Sequence, residues 1–254
     1  MNPLQSPPAV EIDVTTRGAV SLAAPDYARA KLETVLRRTH EPVLAVRVKL
    51  TQEPHHSVVR PSVAQAVVDL NGRPVRAQVA AATMQEALDR LQDRLGAKLA
   101  KARQRHHTAA RVDRSGEDHR PQHVERAAAE RRIVRHKTYG LARQSAWSAV
   151  LDLEAMDYAF HLFTDAASGA DSVVYRTDGT GPHRLASTGA PADPVPGLTV
   201  STAGVPELTL DGAVERLDLA GLPFVFFTDT ATGRGNVLYH RFDGHYGLIT
   251  PARD

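Results

Sequence analysis

Hydrophobic positions in the first hundred residues follow two periods in turn. Val10–Arg17 alternates, with Val10, Ile12 and Val14 set against Glu11, Asp13 and Thr15, the period-two pattern of a half-buried strand. Pro25 then opens a helix with Asp26 in its first turn and Ala28, Leu32, Val35 and Leu36 on one face; the fixed φ of proline suits a first helical turn. Pro42 ends that element. Leu44–Leu50 alternates again, with Leu44, Val46, Val48 and Leu50 inward and Arg47 and Lys49 outward. Val63–Leu70 and Pro74–Ala81 flank Asn71-Gly72, a dipeptide that accepts positive φ and so predicts a hairpin. Over Met84–Arg105, Met84, Leu88, Leu91, Leu95 and Leu99 recur at helical spacing, and Arg90, Arg94, Lys98, Lys101 and Arg105 form a second stripe on another face. The predicted order is β-α-β-β-β-α, an α+β fold whose sheet carries two helices on one side.

His106–Arg132 is charged, has little apolar content beyond Ala and shows no usable period, which predicts a flexible tether. Beyond it the chain repeats itself. Ser148–Tyr175 and Gly212–Tyr239 align without a gap at an offset of 64 positions, with 11 of 28 residues identical, among them Phe160/Phe224, Asp165/Asp229, Gly169/Gly233 and Tyr175/Tyr239. Each copy reads strand, helix, strand, strand. Ser145 and Thr209 are the expected helix N-caps, and Asp165 and Asp229 the expected turn formers. The organisation predicted is an N-terminal domain over 1–107, a tether over 108–132, copy one over 133–187, a linker over 188–197 and copy two over 198–254.

Charge divides the same way. Residues 1–107 carry 16 Lys and Arg against 10 Asp and Glu, whereas residues 145–254 carry 6 against 14. A basic front half points to a polyanionic partner. The absence of cysteine removes disulfides and thiolate metal sites and fits a reducing compartment. No apolar run approaches membrane-spanning length, and the first residues lack a signal-peptide pattern, so a soluble intracellular protein is expected. No glycine-rich phosphate loop or nucleophile elbow is present, and the twelve His lack an ordered set of partner ligands. Neither a catalytic site, a metal, a cofactor nor a small-molecule substrate is expected.

Several segments resemble a known family. NVLYHRFDGHYGLITP (Asn236–Pro251) is similar to the C-terminal signature of long-form ribosome hibernation-promoting factors, and IVRHKTY (Ile133–Tyr139) to the segment that opens the same domain. TMQEALDRLQDRLGAKLAKARQR (Thr83–Arg105) resembles the second helix of that family's N-terminal domain. The resemblance implies an N-terminal domain that occupies the mRNA and tRNA channel of the small ribosomal subunit, and a C-terminal domain that usually forms a homodimer joining two ribosomes. This chain departs by carrying two C-terminal domains: copy one keeps the opening and copy two the closing Tyr246-Gly247-Leu248-Ile249. Such double-domain forms resemble those of actinobacteria, where the factor is tied to stasis and hypoxia.

Within this frame Arg90, Arg94, Lys98, Lys101 and Arg105 are the candidate rRNA-binding row, because cations one turn apart can track a ribose-phosphate backbone. Arg37 and Arg38 at the end of the first helix, and Arg47 and Lys49 on a strand, are expected to extend it. The only aromatic before residue 108 is Tyr27, so recognition by shape and phosphate pattern is expected rather than base stacking. Phe160, Phe163, Tyr175, Phe224, Phe226, Phe227, Tyr239 and Tyr246 are the candidate repeat-pairing residues. A domain of about 50 residues buries little surface alone, and one helix cannot cover both faces of its sheet. Pairing within one chain would leave single inactive ribosomes; pairing between chains would join them. A linker of ~20 residues spans roughly 25 Å and gives an effective concentration on the order of millimolar, which favours the first. A general RNA-binding stress protein is the reading outside this family.

Overall fold

The computed structural model describes residues 10–39, 41–54, 58–104, 121, 123–177, 182–189 and 197–252. They divide into two compact units, one built on residues 10–104 together with 155–157 and one on residues 123–154 and 158–252.

The first unit runs β1 (Ile12–Arg17), α1 (Ala24–Leu36), β2 (Val43–Gln52), β3 (Ser62–Leu70), β4 (Arg73–Ala81), α2 (Met84–Gln104). This is the predicted order. The sheet follows the sequence, β1-β2-β3-β4, with β1 parallel to β2 across the α1 crossover and the remaining pairs antiparallel. Alternation puts Val46, Val48, Leu50, Val68, Val75 and Val79 against Leu32 and Val35 of α1 and Leu88, Leu91 and Leu95 of α2 in one continuous core. The β3–β4 turn forms as expected: Asn71 and Gly72 take φ of 52° and 81°, and the Gly72 amide donates to Asp69 Oδ1 at 2.7 Å. Leu44 departs from the predicted alternation. A register shift between Val43 and Ala45 inverts side-chain parity there and leaves Leu44 60% exposed.

In the second unit copy one contributes β5 (Ile133–Tyr139), β6 (Arg143–Gln144), α3 (Ala146–Ala155), β7 (Phe160–Asp165), β8 (Asp171–Tyr175) and β9 (His183–Ser187). Copy two contributes β10 (Leu198–Val200), β11 (Glu207–Leu208), α4 (Leu210–Ala220), β12 (Phe224–Asp229), β13 (Gly235–His240) and β14 (Tyr246–Pro251). Each copy therefore has the predicted strand, helix, strand, strand and gains two strands, a short one just ahead of the helix (β6 or β11) and a closing one (β9 or β14). The local signals act as expected. Ser145 Oγ accepts from the Ser148 amide and Thr209 Oγ1 from the Gly212 amide, each at 3.2 Å. Asp165 Oδ2 accepts from the Ser168 amide at 3.0 Å and Asp229 Oδ1 from the Ala231 amide at 3.2 Å, ahead of Gly169 and Gly233 at positive φ.

The two sheets run β10-β9-β8-β7-β6 and β11-β12-β13-β14-β5. Each copy's opening strand thus completes the other copy's sheet. β5 lies parallel to β14, with Arg135 opposite Gly247; β10 lies parallel to β9, with Leu198 opposite His183.

The stretch predicted as one tether is not uniform. Residues 108–120 and 122 lie outside the described residues, but 123–132 pack on copy two. The Val124 amide donates to the Phe242 carbonyl at 2.8 Å, Val124 is buried, and Arg131 Nη1 donates to Asp218 Oδ1 at 2.7 Å. A chain of that composition orders where an apolar residue and a charge partner are offered to it.

Candidate RNA-binding face and repeat seam

The basic row runs along α2 but is not uniformly exposed, since Lys98 is buried, 8% exposed. Arg90 is half-exposed and paired with Glu86 at 2.7 Å. Arg94, Lys98 and Lys101 continue the row, and none of the three is without a partner. Arg105 lies outside the described residues. Beside the row α2 is tied to α1, whose Tyr27 hydroxyl donates to Asp89 Oδ1 of α2 at 2.6 Å and whose Lys31 Nζ lies 2.8 Å from the same oxygen. That contact holds the Asp89 carboxyl below the usual carboxylate range and raises the Lys31 ammonium.

The other four predicted cations do not join this row. Arg47 and Lys49 alternate with the buried Val46, Val48 and Leu50, so they stand on the sheet face opposite both helices. There they neighbour Asp13 and Thr15 of β1 and Val67 and Gln65 of β3. Arg38 lines a groove with Gln92, Asp93 and Gly96 of α2; Gly96 is two residues, hence about 200°, around the helix from Arg94. Arg37 beside it is exposed, 3.7 Å from Glu33. The expected single patch is therefore three: a flank of α2, the end of α1 on another flank, and the open sheet face. Arg17 and Arg76 share that open face by strand parity and were not singled out in the sequence, although the alternation that places Lys49 places them too.

The repeat seam is an apolar cluster drawn from both copies. Leu162 and Val173 of copy one pack with Phe226, Val237 and Ile249 of copy two, bordered by Phe160, Tyr175, Phe224 and Tyr239. The Phe160 and Phe224 ring centroids are 4.8 Å apart, Phe160 and Tyr239 5.5 Å, Tyr175 and Phe224 5.4 Å. Tyr239 lies over Gly247, where an added Cβ would come within 2.3 Å of its Cζ. Phe163, Phe227 and Tyr246, also predicted for the seam, lie instead in the helix-facing cores. Phe163 packs on Ala149, Val150 and Leu153; Phe227 and Tyr246 pack with Ala213 and Leu217. Parity is the reason, because residues one apart on a strand face opposite sides. Leu162, Val173, Val237 and Ile249 were missed. Their signal was present in strands apolar on both faces, the pattern of a strand buried on both sides.

Two His sit in these copies with depressed basicity. Burial lowers His161, opposed by Asp152. Burial and then Arg131 lower His240, opposed by Asp218. Among the described residues no group of three or more His, Asp or Glu is placed to hold a metal ion, and no helix is long and apolar enough to cross a membrane.

Comparison with known proteins settles the family. The model of the sigma 54 modulation/S30EA ribosomal protein C terminus matches twice, over residues 128–181 and 200–248. The dormancy associated translation inhibitor of Mycobacterium tuberculosis is 38% identical over 218 residues, which is 82% of this chain and 77% of that one. The chain belongs to the long-form ribosome hibernation-promoting factor family. Another member, the ribosome hibernation promotion factor of Bradyrhizobium diazoefficiens, is 35% identical over 86 residues, 34% of this chain and 41% of that one. Among solved structures, the N-terminal domain of Thermus thermophilus Protein Y matches 35% of this chain and 93% of its own length, at 24% identity and a TM-score of 0.29. The hibernation factor relatives are named for translation inhibition and ribosome hibernation, in keeping with the expectation that the chain is not an enzyme.

Proposed function

We propose that this hibernation factor silences translation by placing its basic first unit in the mRNA and tRNA channel of the small ribosomal subunit. We further infer that its two repeats pair with each other, so that single ribosomes are held inactive rather than joined. The observation that carries this reading is the seam of Leu162 and Val173 against Phe226, Val237 and Ile249, flanked by the reciprocal exchange of β5 and β10.

Chain length supports the same arrangement. β10 starts opposite the first residue of β9, so the connection must run back along five residues, about 17 Å at ~3.3 Å each. The ten residues 188–197 reach roughly 33 Å extended. A short connection also keeps the partner at an effective concentration on the order of millimolar, above what a second chain supplies. Among the described residues, a seam filled in this way has the apolar sheet face of each copy covered by the other. Synthesis at stasis or under low oxygen, and action in the cytoplasm, belong to the same reading.

The channel assignment is tested by competition. Binding of the full chain to empty small subunits is expected to fall steeply when mRNA and tRNAs are loaded first. Equal binding to loaded and empty subunits, or equal affinity for free structured RNA, would place the factor elsewhere and favour a general RNA-binding role.

A further inference from the structure

Two pairs of equivalent residues meet across the seam. Phe160 and Phe224 differ by the 64-position offset, and their rings are in contact. Asp171 and Gly235 differ by the same offset, and the Gly235 amide donates to Asp171 Oδ2 at 2.8 Å. Contact between equivalent positions is the mark of a two-fold interface, so both pairs lie on the pseudo-two-fold axis relating the copies. At the phenylalanines the interface is symmetric. At the second pair it is not.

Asp171 is buried, 5% exposed, and its carboxylate takes three donors from copy two: the Gly235 amide, Arg234 Nε at 2.8 Å and Arg234 Nη2 at 3.1 Å. Arg234 stands where copy one has Ala170. Gly235 has no room for a side chain, because an added Cβ would lie 2.7 Å from Asp171 Cβ and 2.8 Å from Phe226 Cε2. Copy one holds Leu162 where copy two holds Phe226. Carboxylate, guanidinium and hole are thus divided between the copies, with only one of each present.

The geometry points to a seam that accepts copy one against copy two and rejects copy one against copy one, with Asp171, Arg234 and Gly235 as the specificity-determining residues; this rests on the pairing reading above. A pair of first copies would bring two Asp171 side chains to the axis. Their Cβ atoms would be at the 2.7 Å separation that the Gly235 position forbids, and two buried carboxylates would face each other without a cation, an arrangement that buried charge does not tolerate. A pair of second copies would set Arg234 near Arg234 and leave a void between two glycines. The unlike pair alone fills the space and matches the charge, which is specificity obtained by penalising the wrong partner. The occupant selected is a second repeat, in this chain or in another copy of it, and not another first repeat.

Charge exchange in the full chain tests this. Asp171→Lys and Arg234→Glu, each alone, are expected to lower the melting temperature of the second unit, and both together in one chain to restore most of the loss as a monomer. Mixing the two single variants is expected to give a 1:1 dimer of twice the chain mass, since each then offers the other a complementary axis. Wild-type melting for both single variants, with no dimer on mixing, would overturn the proposal. Should Asp171→Lys not fold, the cycle of Asp171→Asn and Arg234→Gln decides: the double variant is expected to melt no lower than the worse single one, and additive losses would refute the coupling. Failure of the pairing reading is seen separately, as a wild-type chain that is itself a dimer in solution.

Discussion

The N-terminal sheet and the repeat sheets solve the same problem with different numbers of helices. In the first unit two helices cover one face of four strands, and the other face is mixed, carrying Asp13, Thr15, Arg47, Lys49, Gln65 and Gln78 beside Val63, Val67 and Ala80. Its polar majority lessens the need for cover. Each repeat has a single helix over one face, with Phe163 and Val174, or Phe227 and Leu238, packed beneath it. Its second face is apolar as well and is closed only by the other copy. The number of apolar faces, set against the number of helices available, decides which unit stands alone and which must find a partner.

One substitution made on both kinds of sheet breaks this comparison most severely. Val237→Asp puts a carboxylate into the fully buried seam and is expected to cost about 3 kcal/mol or more of second-unit stability. Val67→Asp on the open face, opposite Arg47 and Arg76, is expected to change first-unit stability by no more than about 0.5 kcal/mol. Thermal unfolding of the full chain, followed unit by unit by hydrogen exchange, reads both; equal costs would mean the two faces are not different in kind.

Reversing Arg90, Arg94 and Lys98 to Glu sharpens the division of labour. Ribosome affinity is expected to fall at least ~100-fold, because the proposed reading gives each of the three a phosphate to lose and a repulsion to gain. Binding that survived the triple change would remove α2 from the interface. Reversal of Arg47 and Lys49 then reports whether the open sheet face shares the RNA.

The smallest effect is in pH. His161 and His240 are held below the usual imidazole value in the folded state, so between that depressed value and about 6.5 the unfolded chain binds more protons. Stability is therefore full above about pH 6.5 and is lost as pH falls below it. The second unit is expected to lose melting temperature from pH 7.5 to 5.5, and His161→Gln with His240→Gln to flatten the slope. An unchanged slope would assign the loss to other groups.

Much of this was legible in the chain. The Asn71-Gly72 hairpin, the apolar row of α2 and the caps at Ser145 and Thr209 are local signals that the fold honours. So is the 64-residue offset, which carries β6 onto β11 and β7 onto β12 without adjustment. What escaped was non-local. Which sheet edge an opening strand joins depends on a partner elsewhere in the chain, so nothing in IVRHKTY announces that β5 completes copy two. The closing strand β9, HRLAS, is too short and polar to stand out. The basic residues were found, but their faces followed strand and helix parity, which divides them among three surfaces. Aromatic residues mark the seam, yet four of its five buried members are Leu162, Val173, Val237 and Ile249, identified by parity and not by residue type.

Sucrose-gradient sedimentation of purified ribosomes with the full chain and with Val237→Asp tests the central claim most directly. The wild-type chain is predicted to travel with single ribosomes and to produce no ribosome pairs at any ratio, because each repeat already holds the other. Ribosome pairs formed by the wild-type chain, and lost in Val237→Asp, would show instead that the seam is made between chains.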